Sequence, residues 1–204
     1  MARLPIELAD LAAGEDASLH RLRALLGAAA GAQGLVDVAY RVVDSPVGPL
    51  LLAGTEAGLV RVAFEREGHD DVLEFLSAAI SPRVLAEPAR LDPAARELDE
   101  YFAGRRQVFD LPLDFRLATG FRREVLAHLP EIGYGHTASY AGVAALTSSP
   151  RAVRAVGTAC ARNPLPLVVP CHRVVRADGS PGGYVGGADA KSLLLRFEAG
   201  RLRP

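Results

Sequence analysis

Cysteine and lysine are among the scarce residues of this chain. Cys160 and Cys171 are the two cysteines in 204 residues. That is too few for a disulfide framework, and the chain reads as one kept reduced in the cytoplasm. No group of His and Cys has the spacing of a zinc site, so no metal is expected. No apolar run is long enough to span a bilayer and no basic, apolar leader opens the sequence, so neither a membrane association nor secretion is expected. Lys191 is the only lysine, and arginine carries the rest of the positive charge. What is abundant is apolar character, 50% of the residues, enough for a real core. The length allows one large domain or two small ones.

The net charge of −1 hides an asymmetry. Residues 1–118 hold 12 Lys+Arg against 19 Asp+Glu, or −7, whereas residues 119–204 hold 11 against 5, or +6. A nucleic-acid partner would meet the second half. Ordinary variation between domains would give the same numbers, so charge alone does not decide.

Along the chain, residues 5–30 read as an Ala/Leu-rich helix, with Leu8, Leu11, Leu19, Leu22 and Leu26 near helical spacing and Gly14 as an interruption. Gly31 to Gly34 reads as a linker. Strands are predicted at 38–43, 49–53 and 58–64, the first two joined by the turn Asp44-Ser45-Pro46-Val47-Gly48, which makes an antiparallel meander. Helices are predicted over 70–80 and 92–103. The second has Asp92 as N-cap, Pro93 at its first position and Gly104 at its stop. Residues 109–113 are candidates to return to the sheet. The second half is helical, starting with 121–129 behind a Thr119 cap.

Two segments carry chemistry. Ser139 can cap a short helix to Leu146. After the turn Thr147-Ser148, Ser149-Pro150 opens a longer helix that runs to about Arg162 and stops near Asn163-Pro164. Short helix, turn and longer helix make a helix-turn-helix pattern. On the longer helix Val153, Val156 and Cys160 form a stripe of which at least part faces the core. Arg151, Arg154, Thr158 and Arg162 sit at other angles. The second segment is Val168-Val169-Pro170-Cys171-His172-Arg173-Val174-Val175. It reads as a strand whose end presents a cysteine beside a histidine. A thiol needs a base to become the attacking thiolate, and an imidazole can take its proton directly or through a water. A cysteine in an apolar run is also a common core residue, so the flanks must decide.

The flanks do. Ser139-Tyr140, Arg151-Ala152-Val153-Arg154-Ala155-Val156-Gly157, Asn163-Pro164, Pro170-Cys171-His172-Arg173-Val174, Tyr184 with Gly186-Gly187, and Glu198 in a final helix come in the order of the O6-alkylguanine-DNA alkyltransferases, the methylated-DNA–protein-cysteine methyltransferases. Residues 121–200 resemble that family, and Pro-Cys-His-Arg-Val is a highly specific signature of it. Residues 38–117 resemble its more variable N-terminal domain, and residues before 33 resemble nothing.

The resemblance implies an α+β fold: a small N-terminal domain with an antiparallel sheet and flanking helices, ribonuclease-H-like, then a mostly helical C-terminal domain. It divides the chain into an N-terminal helical extension at 1–36, the α/β domain at 37–117 and the DNA-binding, alkyl-accepting domain at 118–204. It implies DNA repair by direct reversal, in which the alkyl group of O6-methylguanine, and of O4-methylthymine, moves irreversibly to Cys171. His172 is then the base acting through a water, Glu198 its orienting partner, Asn163 a brace, and Tyr140 a donor to guanine N3. Arg154 fills the stack left by the flipped nucleotide. Arg151, Ala155, Gly157, Thr158 and Arg162 face the DNA minor groove. Pro166, Val174, Tyr184, Val185 and Gly186 line the base pocket. No cofactor is implied, and the partner is double-stranded DNA carrying O6-alkylguanine, bound by a monomer. Val185 and Thr158 depart from the family, which commonly has a hydroxyl or longer polar residue at the first position and glycine at the second. Three other readings compete. A non-catalytic lesion binder of the same fold would lack the cysteine. A regulator would carry a cysteine-rich sensor domain. A cysteine hydrolase would turn over without DNA.

Overall fold

The computed structural model describes residues 22, 25–27 and 29–201. The described part of the extension is helical to residue 32 and ends with Gly34 at φ 66°. The predicted linker at 31–34 is therefore the end of a helix, and Gly34 takes the left-handed stop that glycine adopts without strain. Leu8, Leu11 and Leu19 lie outside the described residues.

A four-stranded sheet follows, formed by β1 (Val38–Val43), β2 (Leu50–Thr55), β3 (Gly58–Phe64) and β4 (Val84–Ala86) in the order β3-β2-β1-β4. β1, β2 and β3 form the expected antiparallel meander, and β4 adds in parallel beside β1. β2 is buried along its whole length. Its side chains alternate between two cores, as the two-residue period requires. Leu51 and Ala53 pack with α1 (His69–Ala79) through Val72 and Leu76. Leu50 and Leu52 face α2 (Asp92–Phe102) through Leu98 and Tyr101.

That second core continues without a break into the C-terminal half, through Val125, Leu126, Val156, Leu165 and Leu194. Each such fully buried side chain contributes about 2 kcal/mol of transfer free energy. β3 is an edge strand, and its open side is used. Leu59 pairs with Leu113, and Val62 N donates to Pro164 O at 2.8 Å. The predicted return of residues 109–113 to the sheet thus amounts to one bridge.

The C-terminal half holds α3 (Gly120–His128), β5 (Ala138–Ser139), α4 (Tyr140–Ala145), α5 (Val153–Ala161), β6 (Val174–Val175) and α6 (Gly187–Glu198). Ser139 caps α4 by accepting from Gly142 N at 3.0 Å. Three local expectations need correction. Asp92 is the first residue of α2 rather than its cap, and it pairs with Arg41 at 2.6 Å. α5 begins at Val153, three residues after Pro150, because Ala152 N closes a turn on Ser149 O at 2.9 Å. Proline at the second position of that turn favours the turn over a helical start. Residues 164–170 form no strand. Pro164, Pro166 and Pro170 lack the N–H that a ladder needs, so this apolar run is buried as a loop.

Candidate active site

The short parallel pair β5–β6 sets the site. Ala138 lies opposite Val174 and Ser139 opposite Val175. Tyr140 starts α4 immediately after β5, and the Cys171–Arg173 turn, one 3-10 turn, immediately precedes β6. Because the pair is parallel, Tyr140 leaves one end of the ladder and the Cys171–Arg173 turn enters at the other, so two segments distant in the chain are fixed to one short ladder. Cys171 is 1% exposed and His172 is fully buried.

Asn163, fully buried, fixes the sulfur. Its Nδ2 donates to Val169 O at 2.8 Å and to Cys171 Sγ at 3.1 Å, and its Oδ1 accepts from Leu165 N at 3.0 Å. Those contacts leave the amide one orientation, with its N–H toward the sulfur. The loop it spans carries Leu167 at φ 73°, the one non-glycine with positive φ among the described residues. The left-handed region costs a branched residue about 1–2 kcal/mol, which burial of Leu167 in the core offsets.

His172 Nε2 donates to Glu198 Oε1 at 2.9 Å. Its Nδ1 is buried with no partner among the described residues. A carboxylate accepting from Nε2–H selects the tautomer whose Nδ1 carries the lone pair. Burial lowers the His172 pKa, so the ring is a neutral base. Burial raises the Cys171 thiol to about 11, opposed by the Asn163 hydrogen bond and by Lys191. The resting sulfur is therefore a thiol, and thiolate must form as it reacts.

Glu198 is itself buried, and the residues that make this tolerable were not singled out in the sequence. Arg173 Nε donates to Oε2 and Nη2 to Oε1, both at 2.9 Å. Arg173 Nη1 reaches Ile132 O at 2.6 Å, and its guanidinium lies 5.8 Å from the Tyr134 ring centre. Gly135 N and the Tyr101 hydroxyl complete the shell at 3.3 and 2.7 Å. Burial pushes the Glu198 pKa up, but the His172 and Arg173 hydrogen bonds outweigh it and the carboxyl ends at about 2. Arg173 was within reach of sequence reasoning, because a buried glutamate needs a charged partner and Arg173 adjoins His172.

Lys191 was also missed. It is fully buried, and its Nζ donates to Val174 O at 2.6 Å and Gly183 O at 3.4 Å, 5.9 Å from the Tyr140 ring centre. It ties β6 to the loop that carries the candidate pocket residues and puts a cation near the thiol and the phenol. In that loop Tyr184 packs edge-on, 6.2 Å from His172 and 5.5 Å from Phe64 by ring centres. A Cβ on Gly186 would stand 2.7 Å from the Phe64 ring, and one on Gly182 2.8 Å from the Tyr140 hydroxyl, so both glycines permit close approach. Val174 and Pro166 are buried, and Tyr184, Val185 and Gly186 are half-buried.

The predicted DNA-facing residues stand apart, on α5 and just beyond its two ends. Arg151, Arg154, Ala155, Thr158 and Arg162 are exposed and Gly157 is partly so. Val156 and Cys160 face the core, whereas Val153, third member of the predicted stripe, is 37% exposed. The Thr158 hydroxyl bonds back to Arg154 O at 3.2 Å. Ala155, Thr158 and Arg162 share an open depression with Thr119, Phe121 and Arg122 of the α3 end. Glu124 of α3 clamps the turn between α4 and α5 through the Ser148 N–H and hydroxyl. Among the described residues no helix is long and apolar enough to cross a membrane.

Residues 38–115 match the family model "6-O-methylguanine DNA methyltransferase, ribonuclease-like domain", and residues 120–200 match "6-O-methylguanine DNA methyltransferase, DNA binding domain". The methylated-DNA–protein-cysteine methyltransferase of Methanosarcina barkeri is 41% identical over 165 residues, which span 80% of this chain and 99% of the relative. The constitutive enzyme of Bacillus subtilis is 39% identical over 160 residues, 78% of this chain and 94% of its own. Mycobacterium tuberculosis OGT, solved in complex with DNA, superposes with a TM-score of 0.70 at 38% identity and covers 80% of this chain and 94% of that one. With its α+β architecture, both halves matched and relatives covered nearly end to end, this chain belongs to the 6-O-methylguanine DNA methyltransferase family, the methylated-DNA–protein-cysteine methyltransferases.

Proposed function

We propose that this protein repairs O6-alkylguanine in double-stranded DNA by transferring the alkyl group to Cys171, once per molecule. One observation carries the assignment of the acceptor. The Cys171 sulfur is held by Asn163 and adjoins a buried His172–Glu198 pair whose Nδ1 is left to take a proton. An alkyl group on guanine O6 is out of reach inside the stack, so the nucleotide must rotate out, at a cost of a few kcal/mol. Arg154, exposed on α5, takes the place of the departed base, where a planar guanidinium can both stack and hydrogen-bond. Ala155, Gly157 and Thr158 let the helix enter the minor groove, and Arg151 and Arg162 contact phosphates.

Transfer then follows from the site. The thiol proton passes through a water to His172 Nδ1. The sulfur attacks the alkyl carbon, the S–C bond forms and the C–O6 bond breaks. Tyr140 donates to N3 so that guanine leaves neutral, and the proton held by His172 restores the phenol through solvent. The sum is thiol plus O6-alkylguanine giving thioether plus guanine. Burial raises the Tyr140 pKa, which keeps it a donor until the leaving group demands the proton. Glu198 balances the imidazolium as it forms. No step reverses the thioether, so the protein is consumed. Pro166, Val174, Tyr184, Val185 and Gly186 bound the base pocket. O4-methylthymine is a second substrate, the protein acts as a monomer, and a cytoplasmic location suits a chemistry that needs Cys171 reduced.

The test uses a duplex carrying one O6-methylguanine with a radiolabelled methyl group. Label should move to the wild-type protein and not to Cys171→Ser, which should still bind the lesion. Label transfer to the serine variant would remove Cys171 from its role.

A further inference from the structure

Among the described residues, Glu198 receives one side chain from the N-terminal half. Tyr101, in the last turn of α2, donates its hydroxyl to Glu198 Oε1 at 2.7 Å. The same oxygen accepts from His172 Nε2 and from Arg173 Nη2, each at 2.9 Å. A carboxylate oxygen offers about two lone-pair sites, so three donors compete for Oε1. The share that His172 obtains depends on what Tyr101 takes.

We propose that Tyr101 is a positioning residue of alkyl transfer, its hydroxyl orienting the Glu198 carboxylate and limiting how strongly that carboxylate draws on His172. The proposal rests on the reading of Cys171 as alkyl acceptor.

Packing alone does not account for a tyrosine here. Its ring is fully buried in an aromatic box, with Phe102, Phe109, Phe197 and Tyr134 at 5.1, 5.4, 5.6 and 6.1 Å between centres. A phenylalanine would fill that box as well and bury no hydroxyl, and burying a hydroxyl is costly unless it is bonded. Among the described residues the hydroxyl has one partner, Glu198. Burial and that carboxylate hold the phenol protonated far above its ordinary range, so it acts as a permanent donor and not as a base. The box also fixes the donor's direction, since the ring cannot turn without displacing four neighbours. The other charged or titratable groups that face the pair are Arg173 and Cys171 from the Cys171–Arg173 turn, Lys191 from α6, Tyr134 ahead of β5 and Tyr184 from the pocket loop. They stay in place when the Tyr101 hydroxyl is removed.

The sign of the effect follows. Without the hydroxyl, Glu198 keeps more negative charge for His172, and the pair takes up a proton more readily. The acid limb of the transfer rate therefore moves to higher pH. Single-turnover transfer from an O6-methylguanine duplex, measured against pH with the full chain, tests this. In Tyr101→Phe the limb should rise by about one pH unit and the neutral-pH rate should fall about threefold to tenfold. Placing 3-fluorotyrosine at position 101, a stronger donor of nearly the same shape, should move the limb down. A purely structural hydroxyl would lower thermal stability and leave both limbs where they are, and that result would overturn the proposal. If Tyr101→Phe does not fold, the fluorinated protein decides, with an unmoved limb again contradicting it. Absence of methyl on wild-type Cys171 would instead sink the underlying reading, and Tyr101's role with it.

Discussion

Burial and hydrogen bonding shift the candidate catalytic side chains in opposite senses, and pH exposes this. The Glu198 pKa is about 2 when folded against an ordinary 4.5. Its contribution is complete above the higher value and is lost as pH falls toward the lower, by about 3 kcal/mol. His172, also lowered, adds a loss as pH falls through the ordinary imidazole range. Urea denaturation should show stability declining from neutral toward acid pH. Glu198→Gln should be less stable at neutral pH by about 3–5 kcal/mol, because Arg173 is left unpaired, and its acid decline should be shallower. An unchanged decline would mean that Glu198 is not an ionised partner. Cys171 behaves in reverse. Raised from 9 to about 11, it stabilises below the first value and loses this as pH rises through the second. Cys171→Ser should remove its part of the alkaline decline, while Cys160, raised to about 12, and the buried tyrosines keep the rest. At this scale much of the site was legible. Cys171 and His172 lie in one short segment, and Asn163 is eight residues away. Arg173 was within reach through its place beside His172, whereas Lys191 and Tyr101 were not, because nothing in a single sequence distinguishes a buried charge or hydroxyl from the solvated ones that outnumber it.

Helices, strands and loops turn these residues into a site, and two of them can be tested separately. If α5 delivers Arg154 into the stack, Arg154→Ala should slow repair of duplex DNA by about tenfold to a hundredfold and barely change attack on free O6-methylguanine base. Equal losses on both substrates would contradict the role. The pocket loop depends on Phe64 through Gly186, where an added Cβ would meet the ring at 2.7 Å. Gly186→Ala should slow transfer about tenfold with DNA binding retained, and Phe64→Leu in the same chain should recover part of the loss. No recovery would show that the alanine acts by some route other than Phe64. The elements themselves were unevenly legible. β1 to β3 announced themselves through turn residues and alternation. β4 is three residues long, too short to carry a period. The apolar run before Cys171 looked like a strand because strands and buried loops share composition, and its three prolines were the deciding signal. At α5 the serine and proline were rightly read as punctuation, but they make a turn rather than a cap.

Over the whole molecule, charge and architecture divide the labour. The half that carries α5 has a net charge of +6 and the other −7. DNA affinity should fall steeply with salt, and Arg151→Ala should reduce the slope of log affinity against log salt by about one. A slope unchanged in that variant would remove Arg151 from the phosphate contacts. The acidic half is no passive appendage, since it supplies Val62 N to Pro164, Phe64 to the pocket loop and Tyr101 to Glu198. The charge division was readable from composition, but these contacts were not, because they join residues about 100 positions apart in the chain. The central claim is consumption of the protein at one sulfur. Intact-protein mass, followed over time with excess O6-methylguanine duplex and then mapped by peptide, tests it most directly. The account predicts a plateau at one methyl group per chain, located on Cys171. Continued demethylation of DNA without a mass increase, or a methyl group on another residue, would contradict it.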